Sequence, residues 1–327
     1  MKAFDYAKPS DEAAAIRAGS TPSARYIAGG TLLVDLLRLN VEQPELVIDL
    51  NGLAFGAIEV SASGLRIGAL VKNSDLAEHP AVLADYPVLA QALLSGASPQ
   101  IRNMASLGGN LLQRTRCAYF RDSSVSACNK RQPGSGCAAL GGYSRMHAVL
   151  GVSDQCIASH PSDLCVALLA LDAQVHTRGP SGERTIAMAD FHTLPGANPE
   201  RESVLVPGEI VSAVSIPKSG FAHRSAYVKA RDRASYAFAL ASSAAALELE
   251  GNTIRSARVA LGGVGTRPWR CPEVERALLG KPATIDSFRS AAALALNDAK
   301  TTPDNQFKVE LGRRVIGRAL EEARNRP

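Results

Sequence analysis

Between Ala24 and Leu70, short β-rich runs alternate with glycine punctuation: RYIAGG, ELVIDLNG, AIEVS and LRIGALV. Runs of about five residues bounded by turn formers predict short strands. Leu32–Leu39 (LLVDLLRL), directly after the glycines, has the spacing of a helix that begins where a loop ends. Asn73 or Ser74 is expected to cap the next helix, and Ala81–Leu94 reads as helical with an interruption at Pro87. Leu111–Cys156 then sustains neither the helical nor the strand period, being rich in glycine, serine, proline and cysteine. Patterning resumes at Ser159. Pro161 suits the first turn of a helix, Asp163 suits its positive end, and LCVALLALDA continues it. A strand over Ala173–Arg178, a Gly179-Pro180-Ser181-Gly182 turn and a strand over Ile210–Pro217 follow, and Lys218-Ser219-Gly220 is the expected domain boundary. Beyond it, Ser225–Lys229, the small-residue run Tyr236–Glu250 and Ser256–Val264 are expected as antiparallel strands, with a turn at Gly251-Asn252. Helices over Glu273–Leu279, Ile285–Ala299 and Phe307–Arg324 close the chain.

At 327 residues the chain exceeds what one core usually supports, so two domains are expected. Apolar residues at 46% and charged residues at 20% exclude a disordered chain, and with few aromatics the core must rest on Ala, Leu and Val. No apolar stretch reaches the roughly 18 residues of a membrane span. Met1–Ser10 lacks the apolar run of a secretory signal, so the chain is expected to carry no export address of its own. A net charge of +5 over this length is too small to argue for nucleic acid. Most of it is local. Leu111–Cys156 carries Arg114, Arg116, Arg121, Lys130, Arg131 and Arg145 against Asp122 and Asp154, a net +4.

Two Gly-Gly-polar turns stand out, Ala28-Gly29-Gly30-Thr31 and Leu107-Gly108-Gly109-Asn110. Unhindered backbone N–H groups at such turns can approach a phosphate, and Ser106 and Asn110 offer polar side chains beside the second. Glycine pairs are common in turns, so each alone says little. Gly134-Ser135-Gly136-Cys137-Ala138-Ala139 matches a dinucleotide fingerprint in letters, but no strand precedes it. No P-loop, paired-histidine metal motif or serine nucleophile elbow is present. Cys117, Cys128, Cys137 and Cys156 are spaced C-x10-C-x8-C-x18-C. Thiols clustered in a chain with no export signal read first as a metal or redox site. The absence of tight C-x2-4-C pairs disfavours zinc, and an iron–sulfur cluster is the first reading, with zinc and disulfides as alternatives. Cys165, at helical spacing with Leu168 and Leu169, reads as inert core, and Cys271 is isolated.

YIAGGT (Tyr26–Thr31), ASLGGN (Ala105–Asn110), HPSD (His160–Asp163) and YVKARDRASYAFA (Tyr227–Ala239) occur in that order. Together they resemble the flavin-binding subunit of the xanthine dehydrogenase family of molybdenum hydroxylases. The cysteine insertion resembles that of the flavin and [4Fe–4S] subunit of heterotrimeric aldehyde oxidoreductases within this family. The resemblance implies an α+β fold: a PCMH-type (vanillyl-alcohol-oxidase-like) FAD-binding domain of two subdomains over 1–219, with a [4Fe–4S]-binding insertion at about 112–157, then a smaller α+β domain over 220–327. It implies FAD contacts at Ile27, Ala28, Gly29, Gly30, Thr31, Leu32 and Leu33, at Ser106, Gly109, Asn110 and Gln113, and at His160, Ser162, Asp163, Val211 and Lys229. Family members often carry a polar residue where Leu32 stands. Cluster ligands are implied at Cys117, Cys128, Cys137 and Cys156. The implied function is electron transfer from a partner's [2Fe–2S] clusters through FAD to an external acceptor, with aldehyde oxidation on a partner's molybdenum cofactor. The implied partners are a molybdopterin-binding large subunit and a [2Fe–2S] small subunit. Assembly would occur in the cytoplasm, with carriage to the periplasm by a partner's twin-arginine signal. A flavin subunit like that of 4-hydroxybenzoyl-CoA reductase and a zinc-binding structural adaptor are the alternatives.

Overall fold

The computed structural model describes residues 1–326. Its strands are β1 (Asp5–Ala7), β2 (Ala24–Ile27), β3 (Leu46–Asp49), β4 (Ile58–Ser61), β5 (Gly64–Gly68), β6 (Gln174–Gly179), β7 (Gly182–Ala187), β8 (Ile210–Pro217), β9 (Ser225–Ala230), β10 (Ala241–Glu250), β11 (Thr253–Gly262) and β12 (Trp269–Arg270). They form three sheets: β1-β3-β2, parallel throughout; β4-β5-β8-β6-β7, antiparallel throughout; and β12-β11-β10-β9, also antiparallel. Helix Glu12–Gly19 covers the first sheet. It starts because the Asp11 carboxylate accepts a hydrogen bond from Ala14 N–H at 2.8 Å, an N-cap that fixes the first turn.

Helix Asp163–Ala170 is buried at every position and packs on helix Pro87–Ser95, β10 and β11. A helix apolar on all sides belongs in a core, and this one sits where the second and third sheets meet. The largest core cluster accordingly runs across Lys218, joining Leu65 and Ile67 to Ala244 and Ala260. A second cluster packs the third sheet against helices Ile285–Ala292 and Phe307–Arg324. β10 is therefore enclosed on both faces, which is why Ala241–Ala246 are all small. A Cβ on Gly262 of β11 would stand 2.5 Å from Val166 of the central helix.

Several boundaries differ from the sequence expectation. The stretch after Ala81 is two helices, Pro80–Asp85 and Pro87–Ser95, broken at Tyr86 because proline disfavours helical geometry in the residue before it. Lys72, not Asn73 or Ser74, is the cap of helix Asn73–Glu78, and it makes no side-chain capping bond. Pro161 precedes the central helix rather than starting it, and Ser162 caps that helix by accepting from Cys165 N–H. The strand expected from Tyr236 begins only at Ala241, since Tyr236 adopts a positive φ in a loop. The helix expected over Ile285–Ala299 stops at Ala292. Among the described residues, no helix is long and apolar enough to cross a membrane.

Candidate functional site

A cleft of about 830 Å³ opens where elements of all three sheets converge, within the size range of small-molecule and cofactor sites. Residues 27–33, from the end of β2 into helix Leu33–Arg38, border it, as do Ser106, Gly109, Asn110 and Gln113. Asp163 of the central helix, Val211 of β8 and Lys229 of β9 also border it. The first glycine pair is a true close approach. A Cβ on Gly29 would stand 1.9 Å from the Met104 carbonyl oxygen, and Gly30 has φ +72°. The second pair is not the expected loop but lies in a short helix, Leu107–Leu111, capped by Ser106, whose hydroxyl accepts from Gly109 N–H at 3.3 Å. Asn110 is fixed from two sides: its side-chain oxygen accepts from Gln113 at 2.6 Å and from the Ser162 hydroxyl at 2.7 Å. The Met104 backbone takes the place of a Cβ at Gly29, and the bare turn this leaves on the cleft wall fits the approach of a flavin dinucleotide's pyrophosphate.

Lys229 is not a free cation. Its ammonium lies 2.7 Å from the Asp163 carboxylate and donates to the Ser95 carbonyl at 3.1 Å, and both charged side chains are over 90% buried. The Tyr227 hydroxyl donates to the other Asp163 oxygen at 2.6 Å. Burial, then the Asp163 charge, holds the Tyr227 phenol well above its usual pKa. Lys229 thus reaches the cleft as half of an ion pair. Pro161 borders the cleft as well, whereas His160 and Ser162 do not.

The segment after Leu111 folds back on itself so that its thiols gather. Cys128 and Cys137 face each other across an antiparallel β-bridge. Cys137 and Cys156 act on each other, which holds Cys137 below and Cys156 above the usual thiol range. Burial, with the nearby Cys128 and Cys137, pushes Cys117 up to about 11 against the lowering effect of the Phe120 and Tyr119 amides. Amides of Ala139, Ile157 and Leu140 face Cys137, and that of Ala158 faces Cys156. Backbone donors aimed at sulfur are what ionised, ligating thiolates require. Cys165 is fully buried among core residues, as its spacing predicts.

The loop's cations hold it to the body. Arg114 pairs with Glu42 and Glu202, Lys130 with Glu202 at 3.1 Å, Arg116 and Arg121 with Asp35 at 3.1 and 2.7 Å, and Arg145 with Asp232 at 2.8 Å. Arg131 instead donates to the carbonyls of Tyr119 and Phe120. Burial alone would raise the Glu202 carboxyl, but Arg114 and Lys130 outweigh it and hold it below the usual range. Behind Pro161 a small cavity is lined by Cys156, His160, Lys130 and Glu202, so one proline separates it from the cleft.

Sequence spacing gave no sign of one cluster. His160, Cys165 and His192 bring a ligand-type atom each within 4.8 Å of one another. They do not make a metal centre. Ser162 N–H donates to His160 Nδ1 at 3.3 Å, which leaves the proton of a neutral ring on Nε2 and removes its lone pair. The two rings meet edge to face, 4.4 Å between centroids, and His192 Nε2 bonds the Leu111 carbonyl at 2.9 Å. Burial pushes His192 down to about 4 and, with His192 and Lys130, holds His160 well below its usual value. Unfolded histidine binds protons below about pH 6.5 that these folded ones refuse, so stability falls as pH drops from 6.5 towards 4. By about pH 5, His192 alone costs roughly 2 kcal/mol, and His160 acts in the same direction. Urea denaturation at about pH 7 and about pH 5 measures this; equal stabilities would show that the histidines are not buried neutral.

Known proteins share this architecture. The model of the FAD binding domain in molybdopterin dehydrogenase matches residues 2–219, and that of the CO dehydrogenase flavoprotein C-terminal domain matches residues 225–323. The chain is 51% identical over 328 residues to the aldehyde oxidoreductase FAD-binding subunit PaoB of Escherichia coli, covering 99% of each. It is 26% identical to the glyceraldehyde dehydrogenase medium chain of Sulfolobus acidocaldarius, covering 90% of this chain and 87% of that one. Among solved structures, a carbon monoxide dehydrogenase chain from Hydrogenophaga pseudoflava superposes with a TM-score of 0.76 at 25% identity, covering 98% of this chain and 96% of that one. Reconstituted CO dehydrogenase from Oligotropha carboxidovorans gives 0.77 at 23% identity over 99% of each chain, a likeness of fold. The fold is thus a PCMH-type FAD-binding domain followed by the C-terminal domain of CO dehydrogenase flavoproteins, and the chain belongs to the xanthine dehydrogenase/CO dehydrogenase family of molybdenum hydroxylases as its FAD-binding subunit.

Proposed function

We propose that this chain is the electron-transfer flavoprotein of a molybdenum-dependent aldehyde oxidoreductase. Its partners would be a molybdopterin-binding large subunit, where the aldehyde and water become a carboxylic acid, and a [2Fe–2S] small subunit that delivers the electrons. The reading rests on 51% identity to an aldehyde oxidoreductase subunit along the full chain. FAD, when bound, would supply a two-electron store between one-electron carriers and an external acceptor. Residues 27–33, Ser106, Gly109, Asn110 and Gln113 would hold its pyrophosphate and ribose side. Asp163, Val211 and Lys229 would meet the rest, with Ser162 acting through Asn110 and His160 through the turn it stiffens. The domain division would fall at 1–219 and 220–327, with the two parts sharing one core. Assembly in the cytoplasm, with co-export by a twin-arginine partner, belongs to the same reading.

Cys117, Cys128, Cys137 and Cys156 would ligate a [4Fe–4S] cluster within the insertion at about 112–157. A single zinc at about 2.3 Å from each sulfur draws thiolates to within roughly 3.8 Å of one another. Among the described residues, no three of these four sulfurs lie all within 4.8 Å, which suits a larger object. The loop's basic residues are engaged with Glu42, Glu202, Asp35 and Asp232 rather than offered to an acidic protein acceptor. That favours a cluster that closes the loop onto the flavin domain over one that relays electrons outward.

Purified protein should release FAD on denaturation and contain about four iron per chain. A folded, flavin-free protein would overturn the flavin reading, and one zinc without iron would support an adaptor. Assay of the assembled complex with aromatic aldehydes and with acyl-CoA substrates separates the oxidoreductase from a reductase of the 4-hydroxybenzoyl-CoA type. Cys128→Ser should lose iron together with FAD content or yield of assembled complex. Full FAD and assembly, with turnover lost only for a protein acceptor, would make the cluster a relay instead.

A further inference from the structure

A histidine side chain reaches the thiol centre. His147 Nε2 lies 3.1 Å from Cys117 Sγ. The ring is 5% exposed and stands against Tyr119, 6.1 Å between centroids. Its backbone is fixed from the far side of the molecule. His147 N–H donates to the Ser144 carbonyl at 2.9 Å, while Ser144 N–H donates to Asp304 at 2.9 Å and its hydroxyl meets Thr302 at 2.6 Å. These bonds fix the His147 backbone, and burial against Tyr119 confines the ring.

The proton's position follows from the neighbours. His147 Nδ1 is buried and has no partner, whereas Nε2 faces a sulfur. A neutral imidazole carries one proton. On Nδ1 it would face the Ser144 carbonyl without hydrogen-bond geometry, whereas on Nε2 it has Cys117. Backbone N–H groups meet Cys137 and Cys156, whereas Cys117 meets both amides and a histidine ring nitrogen.

We propose that His147 donates its Nε2–H to the Cys117 thiolate and so raises the reduction potential of the cluster, an inference that rests on the [4Fe–4S] reading above. A donor to a ligating sulfur stabilises negative charge, and the one-electron-reduced cluster carries one more negative charge than the oxidised one. One electron enters, no bond breaks, and the proton stays on His147. His147 is thus a positioning residue that acts through Cys117.

The test is a redox titration of the purified full-length protein, followed by electron paramagnetic resonance, with iron analysis of each variant. His147→Phe should keep its iron, with the reduced-to-oxidised ratio at a fixed potential falling about tenfold, about 59 mV for a one-electron couple. His147→Gln, which keeps an N–H donor, should lie closer to wild type. Full iron with an unmoved potential in His147→Phe overturns the assignment. Iron loss in both variants overturns it too, because His147 is then a ligand or a packing group. If only His147→Phe loses iron, a near-wild-type potential in His147→Gln supports the assignment and a lowered one overturns it. Wild-type protein without iron overturns the cluster itself and this assignment with it.

Discussion

Gly29→Ala should yield a folded protein that no longer retains FAD. The added methyl group would stand 1.9 Å from the Met104 carbonyl oxygen, 2.6 Å from its carbon and 3.1 Å from Ala105 Cα. All three are backbone atoms, so no rotamer change relieves the contact. Residues 27–33 must instead shift away from residues 104–106 by an ångström or more, and both segments border the cleft. Overpacking of this kind costs about 1–3 kcal/mol. Here the distortion falls on the cofactor's own cradle, so at least about a tenfold loss in FAD affinity is expected. Gly56→Ala is the control, since a Cβ there would meet nothing within 4 Å and the residue does not border the cleft. The ratio of flavin absorbance to protein after gel filtration, with circular dichroism as the check on folding, reads both. Wild-type flavin content in Gly29→Ala would refute the cradle.

The pattern of the chain revealed some elements more readily than others, for reasons visible in the residues. Ile210–Pro217 is a continuous apolar run ended by proline, and the structure has β8 over those same residues. Phe307–Arg324 keeps one apolar face for five turns and is a helix over that full span. Helix Glu12–Gly19 is not marked by periodicity, although Asp11 followed by Glu-Ala-Ala-Ala is a helix start, because its 8 residues make only about two turns. β7 (GERTIA) is exposed along most of its length, so no alternation marks it. The short helix at Leu107–Leu111 contains two glycines, and its tertiary context overrides their low helical propensity.

The site was legible where chemistry demands a local string and obscure where it depends on distant partners. Gly29-Gly30 after a strand is a local signal, and the close approach of Met104 supplies its cause. His160 and His192 are far apart in sequence, and nothing local announces that their rings touch. The net +4 of the cysteine loop is visible in the sequence, but the partners of its cations are not. The structure ties those cations to Asp35, Glu42, Glu202 and Asp232, all outside the loop, and charge counted within a window cannot show that. Likewise the resemblance implies Lys229 as an FAD contact but not its ion pair, because Asp163 is distant in the chain and its place at the helix start already accounts for it.

Removing that carboxylate should have the largest effect on stability of any single side chain at the cleft. Asp163→Ala would leave the Lys229 ammonium buried with only the Ser95 carbonyl, and the Tyr227 hydroxyl without its acceptor. Breaking one side of a buried pair typically costs about 3–5 kcal/mol, since the surviving charge has lost its counter-ion but not its burial. For a protein of this size that lowers the melting temperature by on the order of 10 °C. The pair also joins the central helix to β9, so the wall of the cleft should loosen and FAD content should fall with stability. Asp163→Asn combined with Lys229→Met separates charge from shape. It removes both ions while keeping much of the volume, so it should be more stable than Asp163→Ala alone. Differential scanning calorimetry of the three proteins decides the matter. If Asp163→Ala melts with the wild type, the pair is not buried as drawn. If the double variant is no better than the single one, the uncompensated lysine is not the source of the loss.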